Sequence, residues 1–228
     1  GLLICEDAWF EAPAQSARNA GAQLLLVLNA SPFHVGKGLE REVQMGQRVH
    51  ECGLPLVYAH LVGGQDEVIF EGRSFALNAK AEVVARAPAF QECLQTISVQ
   101  NNQGSEGLQI SGTKVSASNS WEEDLWHALV LGIRDYLGKN GFPGAILGLS
   151  GGIDSALVLA LAVDALGADN LHAVMMPSPY TADISWIDSR EMVKRLGVRY
   201  DEIAIAPLFE GFKLALSDQF KGLAEDTT

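Results

Sequence analysis

Two short stretches of this 228-residue sequence combine residue types that could do chemistry. In "LICED", Cys5 ends an apolar run and precedes two acidic residues. In "LGLSGGIDS", residues 147–155, glycines, serines and Asp154 lie between an apolar run and a helical pattern. A cysteine thiolate is a nucleophile, and a loop before a helix can bind phosphate through free backbone N–H groups. The sequence therefore offers one candidate nucleophile and one candidate nucleotide loop.

The composition of the glycine loop indicates phosphate with a metal ion. Gly151 and Gly152 allow the backbone to approach a ligand, and Ser150 and Ser155 add hydroxyl donors. Asp154 would repel phosphate unless Mg²⁺ stood between them, and that cation prefers oxygen ligands. The loop lacks the ending of a Walker A site and the GxGxxG of a dinucleotide fold. The alternative is a tight turn in which Asp154 and Ser155 cap the helix.

A resemblance favours the phosphate interpretation. "LSGGIDS" resembles the SGGxDS signature of the PP-loop ATP pyrophosphatases, which implies binding of ATP and Mg²⁺, with Asp154 as a metal ligand. "VMMPSPYTADIS" resembles the "MPSxYT" stretch of the glutamine-dependent NAD synthetases, which implies that Met176 lies near the purine; ordinary core packing of Met175 and Met176 is the alternative. The ATP-binding residues implied in this way are Gly148, Leu149, Ser150, Gly151, Gly152, Ile153, Asp154, Ser155 and Met176.

Considered by itself, Cys5 would more often be a small buried residue than a nucleophile, and we expect Cys52 and Cys93 to be of that buried kind. Its surroundings, "LLICEDAWFEAP", resemble the nucleophile segment of the glutaminase branch of the nitrilase superfamily. "LLVLNASPFHVGK" and "LVYAHLVGGQDEVIFEGRSFAL" resemble two further stretches of that branch. The resemblance implies that Cys5 is the nucleophile and that the backbone N–H of Glu6 stabilises the oxyanion.

The same resemblance implies that Ser31 and Lys37 bind glutamine. For Ser31 the alternative is a turn serine before Pro32, and some relatives carry arginine where Lys37 stands. The family's catalytic Glu and Lys lie upstream of the cysteine, so we expect both outside this chain. The three histidines of this region, His34, His50 and His60, are expected to be structural.

Hydrophobic patterning predicts the elements that position these residues. Residues 1–99 alternate strand-like and helical runs, and residues 120–228 repeat strand, helix, strand, which requires a parallel sheet with its ligands at the carboxyl ends of the strands. Between them, residues 100–119 are polar and are interpreted as a linker. The fold class is α/β. The resemblances imply the C-terminal part of a nitrilase-like α-β-β-α sandwich, followed by the first part of a doubly wound parallel-sheet PP-loop domain.

Composition limits the partners. The net charge of −12 argues against binding to nucleic acid or to an anionic membrane, so small molecules are expected. Three cysteines without metal-ligand spacing suggest neither a disulfide framework nor zinc, and a cytoplasmic location fits best. The chain opens without methionine on a strand-like run, and we expect it to be a piece of a longer protein.

The order amidase, linker, PP-loop resembles the glutamine-dependent NAD synthetase family. It implies ATP-dependent amidation of deamido-NAD⁺ to NAD⁺ through an adenylated intermediate, with ammonia from glutamine, in a homo-oligomer. Two alternatives stay open. One is another PP-loop amidotransferase, such as one resembling GMP synthetase. The other is a nucleotide-binding or assembly module that does not catalyse.

Overall fold

The computed structural model describes residues 1–101 and 107–223, which fall into two compact units, Gly1–Lys139 and Asn140–Thr228. Each unit has its own sheet, and both are of the predicted α/β type. No helix among the described residues is long and apolar enough to cross a membrane.

The first unit is built on a five-stranded sheet in the order β1-β2-β3-β6-β7. The strands β1 to β3 are parallel, whereas β6 and β7 pair antiparallel. In chain order, the helices and strands between residues 2 and 86 are β1 Leu2–Ile4, α1 Glu11–Asn19, β2 Leu25–Asn29, α2 Lys37–Cys52, β3 Leu56–His60, β4 Val62–Gln65, β5 Val68–Glu71, β6 Phe75–Leu77 and β7 Val83–Arg86.

One face of this sheet is covered by α1 and α2. Along β2 the buried residues Leu25, Val27 and Asn29 alternate with the exposed Leu26 and Leu28, as expected for a strand with one covered face. The core cluster joins such strand residues to α1 and α2. Gly53, in the left-handed conformation with φ 64°, ends α2 where its position in the sequence predicts.

The predicted linker is in part a regular hairpin. Strands β8 (Ile97–Asn101) and β9 (Leu108–Gly112) pair antiparallel. Ile110 is buried against Ala76 and Ala85, so the hairpin covers part of the sheet face opposite the helices. The composition did not indicate β9, because Ile110 is the one buried residue of that strand. Residues 102–106 of the predicted linker lie outside the described residues.

Helix α3 (Trp121–Lys139) begins with a capping box, which the sequence predicts because Glu123 follows Ser120 by three residues. The Ser120 N–H donates to Glu123 Oε2 at 2.8 Å, and the Glu123 N–H donates to Ser120 Oγ at 3.2 Å. The helix packs in the first unit, on the hairpin of β4 and β5: Gly64 N–H donates to the Asp135 carboxylate at 2.7 Å, and Lys139 donates to the Gly64 carbonyl. The sequence assigns α3 to the following domain, so the predicted boundary at residue 120 remains a proposal.

The second unit contains a three-stranded parallel sheet in the order β10-β11-β12. Its elements are β10 Ala145–Gly148, α4 Ile153–Leu166, β11 Leu171–Met175, α5 Asp183–Leu196, β12 Arg199–Glu202 and α6 Ala206–Leu216. The strand, helix, strand repeat agrees with the prediction, with shifts of a few residues at element ends. Helix α6 was not predicted.

Candidate functional site

Cys5 stands at a sharp corner where β1 passes into a 3₁₀ turn, Cys5–Trp9. Its φ is +50°, in the left-handed region that residues other than glycine adopt rarely and at an energetic cost. The side chain is half-buried. Glu6 is exposed, and its N–H belongs to the first turn, whose N–H groups have no carbonyl partner within the helix. The thiol and the N–H of the following residue thus lie together at this corner, and the role of that N–H as an oxyanion donor stays a prediction.

The thiol lies at the carboxyl edge of the parallel strands. Ile4 is in register with Leu28, and Asn29 is in register with His60, so Cys5, Asn29 and His60 end neighbouring strands. Tyr58 is buried on β3, and burial raises the pKa of its hydroxyl. The nearby charge of Arg41 lowers that pKa, and an ionised Cys5 raises it. The Tyr58 hydroxyl is therefore close enough to Cys5 for their charges to interact.

Lys37 and Ser31 approach the same edge from different elements. Lys37 begins α2, and its Nζ lies 4.4 Å from the ring centroid of Trp9, in the turn that Cys5 opens. That ammonium is partly exposed and also donates to Glu40 at 2.9 Å. Ser31 follows β2 and is held by the buried Arg41, whose Nε donates to Ser31 Oγ at 3.0 Å. A cation thus lies over a residue of the thiol-bearing turn, and a hydroxyl follows the strand that pairs with β1.

A buried charged network supports Ser31, and sequence reasoning missed it. Arg41 Nη1 donates to Glu71 Oε1 at 2.6 Å, and both side chains are 2% exposed. Burial raises the pKa of Glu71, whereas the charges of Arg41 and Arg73 oppose that rise. Burial, and then the charge of Arg41, lower the pKa of His60 to about 4. The signal available in the sequence was Glu71 within "FEGRSF", a stretch that the resemblance already covered.

The second candidate site is the loop between β10 and α4. Gly151 has a φ of +80°, and a Cβ there would lie 2.5 Å from the backbone of Ser185. Ser150 and Ser155 face each other with their hydroxyl oxygens 3.1 Å apart, and the Gly152 N–H approaches Ser150 Oγ at 3.3 Å. The loop is therefore held by its own serines in front of the first turn of a 14-residue helix.

The other predicted ATP-binding residues surround this loop. Gly148 ends β10, Leu149 is buried, and Ile153 and Asp154 are exposed in the first turn of α4. Met176 follows β11 and is 54% exposed, with its Cε 3.4 Å from the position of a Cβ on Gly148. Met175, in contrast, is buried and accepts a contact from the Tyr200 hydroxyl at 3.3 Å, which agrees with core packing.

Asp154 meets the chemical requirement for Mg²⁺ only in part. Within the described residues no group of three or more His, Cys, Asp or Glu side chains could hold a metal ion. Mg²⁺, however, is commonly bound by one or two carboxylates together with substrate phosphates and water. Asp154 offers one exposed carboxylate to such a donor set.

Comparison with known families divides the chain in the same order. Residues 1–106 match the sequence model of the carbon-nitrogen hydrolase family, and residues 125–227 match that of NAD synthase. The two matches agree with the predicted order of an amidase-like part followed by a synthetase part.

Individual relatives match both parts at once. The chain is 43% identical over 228 residues to the glutamine-dependent NAD(+) synthetase of Xylella fastidiosa and 43% identical over 229 residues to that of Rhodobacter capsulatus. The glutamine-dependent NAD+ synthetase of Acinetobacter baumannii, solved in complex with ADP, superimposes with a TM-score of 0.90 at 37% identity over 99% of the chain. The chain spans about two fifths of these relatives, 42% of the Xylella and Acinetobacter proteins and 41% of the Rhodobacter protein.

Proposed function

This chain belongs to the family of glutamine-dependent NAD⁺ synthetases, and from that premise we propose that it supplies parts of two active sites. One site hydrolyses glutamine to glutamate and ammonia. The other uses ATP to convert deamido-NAD⁺ to NAD⁺ with that ammonia, releasing AMP and pyrophosphate. One observation supports the proposal above all. The same chain has a thiol at the carboxyl end of the parallel strands of one sheet and a glycine loop before a helix at the carboxyl end of a strand in the other sheet.

In the glutaminase site, the Cys5 sulfur attacks the side-chain amide carbon of glutamine. Collapse of the tetrahedral intermediate releases ammonia, and water then hydrolyses the thioester to glutamate and the free thiol. The Cys5 side chain is half-buried and thus partly accessible, and the Glu6 N–H is the proposed donor to the oxyanion. Ser31 and Lys37 are proposed to hold the rest of the glutamine.

In the synthetase site, residues 148–155 are proposed to bind the phosphates of ATP, with Met176 against the purine. The ADP complex of the Acinetobacter relative supports an adenine nucleotide as ligand. Asp154 would hold Mg²⁺, which neutralises phosphate charge when bound. The nicotinate carboxylate becomes an adenylate, and ammonia displaces AMP. A homo-oligomer and a cytoplasmic location are part of the same proposal.

The test follows NAD⁺ formation from deamido-NAD⁺, ATP and Mg²⁺ by the full-length polypeptide that contains this sequence. Glutamine or ammonium serves as the nitrogen donor. We expect Cys5→Ala to abolish the glutamine-dependent reaction and to retain the ammonium-dependent one. Cys93→Ala is the matched control, because Cys93 is exposed, contrary to the expectation from the sequence, and distant in sequence from Cys5, so the variant should keep both reactions. Absence of NAD⁺ with either donor in the native protein would show that the acceptor is wrong.

A further inference from the structure

The hydrogen bonds of Arg41 fix the direction of the Ser31 hydroxyl. Arg41 Nε donates to Ser31 Oγ at 3.0 Å, and Nη2 donates to the carbonyls of Ser31 and Pro32, both at 3.1 Å. A guanidinium keeps its protons and cannot accept, so Ser31 Oγ must be the acceptor in the first bond. The single hydrogen of the hydroxyl therefore points away from Arg41 and is free to donate elsewhere.

From this geometry we propose that Arg41 is a positioning residue that makes Ser31 a hydrogen-bond donor to the α-carboxylate of glutamine. The inference rests on the proposed glutaminase function. Glutamine offers two kinds of oxygen acceptor, the side-chain amide carbonyl and the α-carboxylate. The amide carbonyl must lie at Cys5 for attack, which leaves the carboxylate for Ser31. Lys37 beside Trp9 supplies the complementary positive charge.

The surroundings of Arg41 hold its guanidinium in a single orientation. Glu71 Oε1 binds Nη1 at 2.6 Å, and the pair is almost completely removed from solvent. The Ser31 carbonyl also lies 3.1 Å from His60 Nε2, so this loop lies against the end of β3. Gly38 makes room for the network, because a Cβ there would lie 2.9 Å from both Glu71 Oε1 and Arg73 Nη1. A planar donor with several fixed N–H groups performs this task, and lysine, a point charge, does not.

The test compares glutamine with its α-carboxamide analogue, in which the carboxylate is neutral, as substrates of the full-length polypeptide. Ser31→Ala and Arg41→Lys should each raise the KM for glutamine about tenfold, the effect of losing one hydrogen bond to a charged group. The KM for the analogue should change less than about threefold, since a neutral amide gains less from the hydroxyl donor. Arg48→Lys is the matched control: Arg48 is also buried on α2 but binds Glu51, and both KM values should stay unchanged.

A double variant tests whether Arg41 acts through Ser31. The Ser31→Ala/Arg41→Lys protein should have a glutamine KM within about twofold of the worse single variant, because both changes remove the same donor. The inference would be overturned if the two single-variant increases in the glutamine KM multiplied in the double variant. It would also be overturned if the KM values for glutamine and for the analogue rose equally. If Arg41→Lys fails to fold, Ser31→Ala and Ser31→Thr, which retains a hydroxyl, provide the test. The inference is supported if Ser31→Ala loses the preference for glutamine over the analogue and Ser31→Thr keeps that preference. Any other pattern overturns the inference. A native protein that hydrolyses no glutamine would instead overturn the proposed function itself.

Discussion

At the scale of the residue, the buried His60 ties stability to pH. The imidazole lies at the end of β3 with its Nδ1 2.8 Å from the Leu61 carbonyl and Nε2 3.1 Å from the Ser31 carbonyl. Burial and the charge of Arg41 hold its pKa near 4, below the ordinary 6.5. The native state therefore binds fewer protons than the unfolded chain between these two pH values. The stability that depends on neutral His60 is complete above pH 6.5 and is lost as the pH falls toward 4.

We expect His60→Gln to reduce this pH dependence. Between about pH 7 and about pH 5, the neutral His60 accounts for a loss of about 2 kcal/mol in the free energy of unfolding. The variant lacks this titration, so the difference between its stabilities at the two pH values should be smaller by that amount in urea unfolding. Glu71 titrates in both proteins and cancels in the comparison. His50→Gln, a change at an exposed position of α2, should retain the native dependence, and an unchanged dependence in His60→Gln would contradict the assignment.

Residues of the candidate sites differ in how far sequence could predict them. Cys5 and Asp154 lie within short motifs of consecutive residues, so they could be identified from the sequence alone. Arg41 is different, because an arginine in an amphipathic helix usually indicates a solvent-exposed face. Its burial depends on Glu71, which is distant in sequence and reaches it only through the pairing of β4 with β5 and of β3 with β6. A contact of this kind exists only after the tertiary fold has formed.

At the scale of the element, the two glycines of the loop before α4 should separate folding from ligand binding. Gly151 has a positive φ and lies against the Ser185 backbone, so Gly151→Ala should destabilise the second unit by about 2 kcal/mol or more. Gly152 has a φ of −86°, and a Cβ there would lie 3.4 Å from Ser150 Oγ, an ordinary contact. Gly152→Ala should therefore change stability by less than about 0.5 kcal/mol.

The same pair tests the phosphate interpretation of the loop. A methyl group on Gly152 stands where the backbone would approach phosphate, so we expect the KM for ATP in the ammonium-dependent reaction to rise about tenfold, as for one lost charged hydrogen bond. Thermal unfolding and ATP titration of each variant provide the two measurements. If Gly152→Ala has a normal KM for ATP and normal stability, the loop is a tight turn and does not bind phosphate.

Elements were predicted more reliably than their packing. The periodicity of α2 and the capping box of α3 are local signals, and the structure contains both. The position of α3 on the hairpin of β4 and β5 is not local. It depends on Gly64 and Gly132, because a Cβ on Gly64 would lie 3.2 Å from the Asp135 Cβ and a Cβ on Gly132 would lie 3.0 Å from Ile69 Cδ1. Two glycines separated by about half of the first unit cannot be identified as neighbours from the sequence alone.

At the scale of the whole molecule, one face of the first sheet is incompletely covered. Helices α1 and α2 pack on one side, and the β8-β9 hairpin covers Ala76 and Ala85 on the other. On that second side Leu2, Ile4, Leu26 and Leu28 are between 43% and 62% exposed. Contiguous apolar surface of this kind indicates a packing partner. In a nitrilase-like α-β-β-α sandwich, the partner is a second sheet, and the chain spans 42% of the length of its Xylella relative.

The double substitution Leu26→Lys/Leu28→Lys should therefore have opposite effects in two contexts. In the 228-residue chain produced alone, both side chains face solvent, so stability should change little while binding of an apolar dye falls. In the full-length polypeptide the second sheet would bury two unpaired ammonium groups, at a cost of several kcal/mol that should prevent folding. Leu94→Lys is the control, because Leu94 is fully exposed in a loop and should be neutral in both contexts. Equal tolerance of the double substitution in both proteins would mean that this face stays open to solvent and that the first unit is not half of a sandwich.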